Sequence, residues 1–202
     1  MNRRVLQVCA ILAIIIAWLF AAAVTGRTEN ERLESKAKIA SEWCSRNGYR
    51  TDICVLVDFS LASGKNRYFI YDLKNHRVVS KSPCAHGWGG RLSMDNIWRT
   101  KVSNVPGSKL SSVGKCRITG EGKMYRRKMR CIRLEGLDAS NSNISKRGIY
   151  IHDCFVQTAI APLPMIPGPS EGCFAVSMRA YNKTSGLLHE NRTPILLWAF
   201  ND

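Results

Sequence analysis

From Asp52 onward the chain is written in short runs of β-branched and aromatic residues, punctuated by glycine, asparagine and proline. "CVLVDF" (Cys54–Phe59) is a continuous apolar run, as a strand buried on both faces requires. "RYFIYD" and "RVVSKS" flank Leu73-Lys74-Asn75-His76, which predicts a hairpin. "KCRITG" and "MRCIRLEG" surround Gly120-Glu121-Gly122, which predicts a turn. "GIYIHDCFV" and the terminal "ILLWAF" add further strands. Strands this short, with glycine-containing turns, predict a mainly β fold, a sandwich or a barrel. The β-sandwich-like arrangement is the expectation carried forward.

Two long irregular stretches interrupt the strands. Ala85 to Gly114 is rich in Gly, Ser and Asn, and Gln157 to Glu171 holds four prolines between Ala161 and Pro169. Long ordered loops on a small domain are often functional, and each proline ring fixes its own φ.

Ahead of the strands lies a different kind of chain. Arg3 and Arg4 precede "VLQVCAILAIIIAWLFAAAV" (Val5 to Val24), in which Gln7 is the one strongly polar side chain. As a helix this run is about 30 Å long, the thickness of a hydrocarbon core. Basic residues before it favour that end staying in the cytoplasm. Residues 1–26 therefore read as a signal anchor or a signal peptide, with inner-membrane contact through residues 5–24. Ala21-Ala22-Ala23 offers a cleavage site, but the run is longer than an ordinary signal core. Residues 27–48 read as a helix: Thr28 and Glu31 form a capping box, Leu33, Ala37, Ala40 and Cys44 make one stripe, and Asn47-Gly48 ends it. Residues 49–202 form the remaining domain.

The net charge of +15, from 30 Lys and Arg against 15 Asp and Glu, fits an anionic partner. No nucleic-acid-binding motif accompanies it, so nucleic acid is not among the partners expected. Export permits disulfides. Six cysteines besides Cys9 and Cys173 allow fifteen pairings, with Cys44–Cys54 a local candidate and a reduced, buried set the alternative.

The candidate chemistry lies in "IYIHDCF" and "SEGCF". On a strand, Tyr150, His152 and Cys154 share one face, and Ile149, Ile151 and Asp153 share the other. Alternation alone leaves open which face is inward. Seventeen residues separate His152 from Ser170, and Cys173 follows. Either residue alone is more often structural. Together they can make a thiolate, because a nearby imidazole takes the thiol proton. Gly172 permits the backbone turn that would aim N–H groups at a developing oxyanion. Cys84, His86, His152 and Cys154 could in principle ligate zinc, but metal would occupy the proposed base and the spacings fit no usual finger.

A histidine, seventeen residues and Ser-x-Gly-Cys resemble the signature of the L,D-transpeptidase catalytic domain (YkuD-like) family. The resemblance is to its murein L,D-transpeptidase catalytic-domain-like branch. "NGYRTDICVLVDFSLASGKNRYFIYDL", "AHG" (Ala85–Gly87), "SSVGKC" (Ser111–Cys116), "LEGLDASNSN" (Leu134–Asn143) and "PILLW" (Pro194–Trp198) carry it from about Ser41 to the end. It implies a cysteine acyltransferase acting on peptidoglycan stem peptides in the cell envelope, on the periplasmic side, without a metal or other cofactor. Cys173 would be the nucleophile and His152 the base and acid. A backbone carbonyl at or near Asp153 would orient the histidine, with Ser170 and Gly172 completing the signature. His86, Ser111, Ser112, Arg91 and Arg147 are candidates for substrate contact, and Arg99 a further one, since a guanidinium fork matches a carboxylate.

Two positions depart from the family pattern: Asp153, where Gly or Ser is common, and Glu171, where the widest signature has His. A glutamate aimed at the thiolate would oppose its ionisation, and one aimed at solvent would not. The rival readings are an L,D-carboxypeptidase on the same fold and a wall-binding domain without catalysis.

Overall fold

The computed structural model describes residues 3–90, 100–124, 129–154 and 170–202. Within residues 3–27, side chains are described at 7 and 9–17. The chain divides into two compact units, Met1–Lys36 and Ala37–Asp202. One helix, α1 (Arg3–Asn47), runs through the division. It includes the apolar run, which was expected to be a separate segment. Among the described residues no helix is long and apolar enough to cross a membrane. The contact expected through residues 5–24 is therefore unsupported, and part of that run lies outside the described side chains. Helix α1 ends where predicted: Gly48 has φ +72° and Tyr49 N–H donates to the Cys44 carbonyl at 3.0 Å.

The second unit is built on eight strands. They are β1 (Ile53–Asp58), β2 (Asn66–Asp72), β3 (Arg77–Ala85), β4 (Gly114–Lys123), β5 (Arg130–Gly136), β6 (Tyr150–Asp153), β7 (Phe174–Val176) and β8 (Ile195–Phe200). A helix, α2 (Met178–Glu190), precedes the last strand. The strands close in the order β1-β2-β3-β7-β6-β5-β4-β8, a barrel rather than the expected sandwich. Two parallel pairs make the closure, β1 with β8 and β6 with β7. Local patterning reveals short strands and does not say whether a sheet closes, because closure depends on pairs far apart in sequence. Closure also removes the exposed edges that a sandwich keeps.

Strand β1 is buried along its whole length. Ile53, Val55 and Val57 join the main core with Tyr68, Ile70, Ile132, Ile151, Phe174 and Leu197. Cys54 and Leu56 point to the other face by alternation. Ala37, Ala40 and Cys44, from the expected helix stripe, are buried in this same unit. The hairpin at 73–76 is present, with the Asp72 carboxylate accepting the N–H groups of Lys74 and Asn75. The Gly120-Glu121-Gly122 turn is not. Strand β4 runs through it with a register shift between Ile118 and Gly120, and Gly120 has φ +140°. Glycine inside a strand marks a bulge as readily as a turn.

All eight cysteines are free thiols. Burial pushes the Cys44, Cys84 and Cys116 thiols up to about 12, and Cys54 and Cys131 upward as well. At pH 7 a thiol near 12 is ionised on the order of one part in 10⁵, and only the thiolate alkylates. Iodoacetamide on the native protein should therefore leave Cys44, Cys84 and Cys116 unmodified while Cys173 reacts. Peptide mapping by mass spectrometry checks this, and adducts at those three in folded protein would count against the packing described.

Candidate active site

Strands β6 and β7 run parallel in the register Ile151↔Phe174, His152↔Ala175 and Asp153↔Val176. Ile151, Phe174 and Val176 belong to the core. By alternation His152 and Ala175 lie on the opposite face, and with them the positions of Tyr150 and Cys173. The inward face that the sequence left open is thus that of Ile149 and Ile151. Continuing the ladder one residue sets Cys173 beside Tyr150, and Tyr150 N–H donates to Cys173 Sγ at 3.5 Å. His152 stands one diagonal step away on the same face. The Cys173 thiol donates to the Gly148 carbonyl at 3.6 Å.

His152 Nδ1 lies 2.9 Å from the Asp153 carbonyl oxygen. A carbonyl only accepts, so the ring proton sits on Nδ1 and Nε2 carries the lone pair of the neutral ring. The Asp153 side chain points to the other face of β6, where its charge acts on Tyr181 of α2. Its backbone, not its carboxylate, reaches the histidine.

The turn before Cys173 is tied at several points. Ser170 Oγ donates to the Cys173 carbonyl at 2.6 Å and accepts from Gly172 N–H at 3.0 Å. The N–H of Gly172 itself is therefore already used within the turn. Gly172 has φ +117°, and a Cβ there would lie 2.9 Å from the Leu110 carbonyl oxygen. Ser111 Oγ donates to the Gly172 carbonyl and accepts from Gly87 N–H, each at 3.0 Å. Trp88 N–H donates to the Ser170 carbonyl at 3.0 Å. One buried hydroxyl thus joins three chain segments that meet at the turn before Cys173. Gly87 is needed there because a Cβ would run into the backbone of Lys109 and Leu110.

Glu171 is resolved by a partner that its own neighbourhood in sequence does not contain. Its carboxylate is half exposed and pairs with Lys109 Nζ at 3.0 Å, and that ammonium lies 5.6 Å from the Trp88 ring centroid. The charge beside the turn is neutralised at the rim.

His86 is buried and edge-on to Phe59, which stacks on Phe174 at 5.6 Å. Arg67, with no exposed surface, donates to His86 Nδ1 at 3.0 Å, to Thr100 Oγ1 at 2.9 Å and to the Cys84 carbonyl. A guanidinium only donates, so the neutral His86 ring carries its proton on Nε2, the reverse of His152. Burial pulls Arg67 down to about 10, which leaves it a cation at neutral pH.

Ser111 and Ser112 are both buried. Ser112 Oγ accepts from Arg147 Nη1 at 2.7 Å and donates to the Ser103 carbonyl at 3.1 Å. The structure thus gathers Cys173, His152, Ser170, Gly172, Ser111 and His86 around one turn, with Ser112 and Arg147 behind it. Arg91 and Arg99 lie outside the described residues. Cys84 faces the core, and among the described residues no three His, Cys, Asp or Glu side chains form a metal-sized group. Sequence reading missed Arg67, Lys109 and the Tyr150 N–H. A fully buried arginine and a backbone donor leave no local pattern.

The described residues thus form a closed barrel with an imidazole on β6 and a thiol at the start of the neighbouring parallel strand β7. The family model described as the L,D-transpeptidase catalytic domain matches residues 26–197, and the chain belongs to that family. No curated protein matches the chain at a significant level. Among solved structures, the Ldtfm–avibactam carbamoyl enzyme is similar at 13% identity and TM-score 0.44, covering 75% of this chain and 49% of that one. An L,D-transpeptidase from Mycobacterium tuberculosis is similar at 11% identity and TM-score 0.42, covering 74% and 57%. The helical cell shape determining protein Pgp2 from Campylobacter jejuni is similar at 14% identity and TM-score 0.44, covering 75% and 48%. The chain spans about half the length of these proteins.

Proposed function

We propose that the protein is a cysteine L,D-transpeptidase that joins peptidoglycan stem peptides into 3–3 cross-links. The observation that carries this reading is the shared face of Cys173 and His152, with His152 Nε2 free of the ring proton. In the first step Nε2 takes the thiol proton, and Sγ attacks the carbonyl carbon of the third residue of a stem tetrapeptide. The C–N bond to the terminal D-alanine breaks, the imidazolium returns the proton to the leaving amine, and a thioester remains on Cys173. In the second step the side-chain amine of another stem attacks the thioester and gives its proton to His152. An amide forms and the thiol is regenerated. Water in place of the amine makes the same site an L,D-carboxypeptidase.

Ser170, Gly172, Ser111 and Ser112 serve this reading as the framework of the cleft, and His86 as the substrate-facing donor. The domain acts in the cell envelope, outside the cytoplasmic membrane. That placement is supported by the family and by Arg3-Arg4 ahead of the apolar run, not by any described spanning helix.

The test is incubation of the full chain with tetrapeptide muropeptides, beside Cys173→Ala and His152→Ala. Mass spectrometry should show an acyl adduct on Cys173 and cross-linked dimers with the wild type alone. Free D-alanine without dimers would assign the carboxypeptidase. A folded wild type that gives neither adduct nor product would leave the wall-binding domain.

A further inference from the structure

Arg147 has a place that stem-carboxylate recognition does not explain. Its Nη1 donates to the Ser103 carbonyl at 2.6 Å and to Ser112 Oγ at 2.7 Å. Its Nη2 donates to Ser108 Oγ at 3.0 Å and to the Leu110 carbonyl at 2.5 Å. Both terminal nitrogens are therefore committed to one loop, residues 103–112. That loop supplies Ser111 to Gly87 and Gly172, Lys109 to Glu171, and the Leu110 carbonyl that lies against Gly172. Arg147 also immediately precedes Gly148, whose carbonyl accepts the Cys173 thiol, and Tyr150, whose N–H donates to the same sulfur.

We propose that Arg147 is a positioning residue for the nucleophile: it straps the 103–112 loop against the turn that carries Cys173, and sets a fixed positive charge beside the segment on which Sγ rests. This rests on the reading of Cys173 as the nucleophile. On ionising, the sulfur gives up its bond to Gly148 and keeps the Tyr150 N–H. A nearby guanidinium then favours the charged form. Burial lowers the pKa of Arg147, and the charge of a Cys173 thiolate raises it in return, so the two groups feel each other.

Among the described residues, the other charged or titratable groups around the turn come from several elements, including Arg67 against His86. His152 and Tyr150 come from β6, with Asp153 on its far face. His86 precedes Gly87. Glu171, on the turn itself, is neutralised by Lys109. Arg147 keeps its charge near neutral pH and has no carboxylate partner among the described ion pairs; Arg67 shares both properties but is committed to His86, Thr100 and the Cys84 carbonyl.

The test is the pH profile of Cys173 alkylation by iodoacetamide in the full chain, read by peptide mass spectrometry. Arg147→Gln removes the charge, and its profile should move up by about 0.5–1 pH unit, or about three- to tenfold slower reaction below the midpoint. Arg147→Lys keeps the charge and loses the fork. Its midpoint should stay near the wild type, although its Tm falls as the Gln variant's does. Equal shifts in both variants, or none in either, would overturn the proposal, since a strap alone predicts no dependence on charge.

If Arg147→Gln does not fold, the wild type still decides. Above the histidine range, anionic iodoacetate should react with Cys173 faster relative to iodoacetamide than it does with a free cysteine peptide. A ratio at or below that of the peptide counts against the proposal. Alkylation needs no peptidoglycan. A chain that alkylates as expected but leaves muropeptides untouched sinks the transpeptidase reading and keeps this one.

Discussion

Gly172→Ala should lower acylation of Cys173 about 100-fold while the barrel stays folded. Two independent observations lead to this. The backbone at Gly172 has φ +117°, which side chains with a Cβ rarely adopt. The new Cβ would also lie 2.9 Å from the Leu110 carbonyl oxygen and 3.3 Å from Ile149 Cδ1. The carbonyl cannot readily move away, because it accepts Arg147 Nη2 at 2.5 Å. The turn must shift instead, and Cys173 shifts with it. Strain and overpacking together should destabilise the fold by about 2–4 kcal/mol. Gly186→Ala on α2 is the control. A Cβ there meets nothing within 4 Å, and alanine in a helix interior should stabilise by about 0.5–1 kcal/mol. Thermal unfolding and the rate of the acyl adduct measure both effects. Wild-type acylation in Gly172→Ala would show that the turn is not held as described.

His152→Ala should reduce acylation by a muropeptide about 10²–10⁴-fold at neutral pH, with little change in Tm. The ring is half-buried, and among the described hydrogen bonds it has one, from Nδ1 to the Asp153 carbonyl at 2.9 Å. A half-buried ring held by one such bond contributes little to the fold, so stability should change little. What disappears is the Nε2 lone pair to which the proposed mechanism assigns both proton transfers. The deficit should narrow as pH rises through the thiol range, about 8.5 in a free cysteine, because the thiolate then forms without a base. It should not vanish, since the leaving amine still needs a proton. A deficit that stays constant across that range would remove His152 from the first proton transfer.

Much of the strand content could be read from the chain. "CVLVDF", "RYFIYD", "RVVSKS" and "ILLWAF" fall on β1, β2, β3 and β8. Their apolar character is local and survives in any arrangement of the strands. Helix α2 was missed although Ser177 caps it, accepting Ala180 N–H, and Ala180, Tyr181 and Thr184 form its buried stripe. Its Asn, Thr, Ser and Gly residues are weak helix formers, and packing against the barrel outweighs them. Strand β7 has three residues, too few for any periodicity.

The site divides in the same way. His152 and Cys173 were visible because their spacing resembles a family signature. The bonds that hold them were not visible, because Ser111, Arg147 and Lys109 come from elsewhere in the chain and meet the turn only when the barrel closes. Glu171 shows the limit most clearly. Its own position gives a charge next to a thiol. The sign of its effect depends on an ammonium sixty-two residues earlier, counted from Lys109 to Glu171.

The parallel direction of β6 and β7 has an evolutionary consequence. Parallel neighbours cannot be joined by a tight turn, so the pairing of β6 with β7 requires a connection of about a dozen residues or more. The pairing makes no demand on the composition of that connection. Register between His152 and Cys173 is set by ladder bonds between the two strands and by contacts from the 103–112 loop. Insertions and exchanges in that connection can therefore leave the pairing of the two strands unchanged.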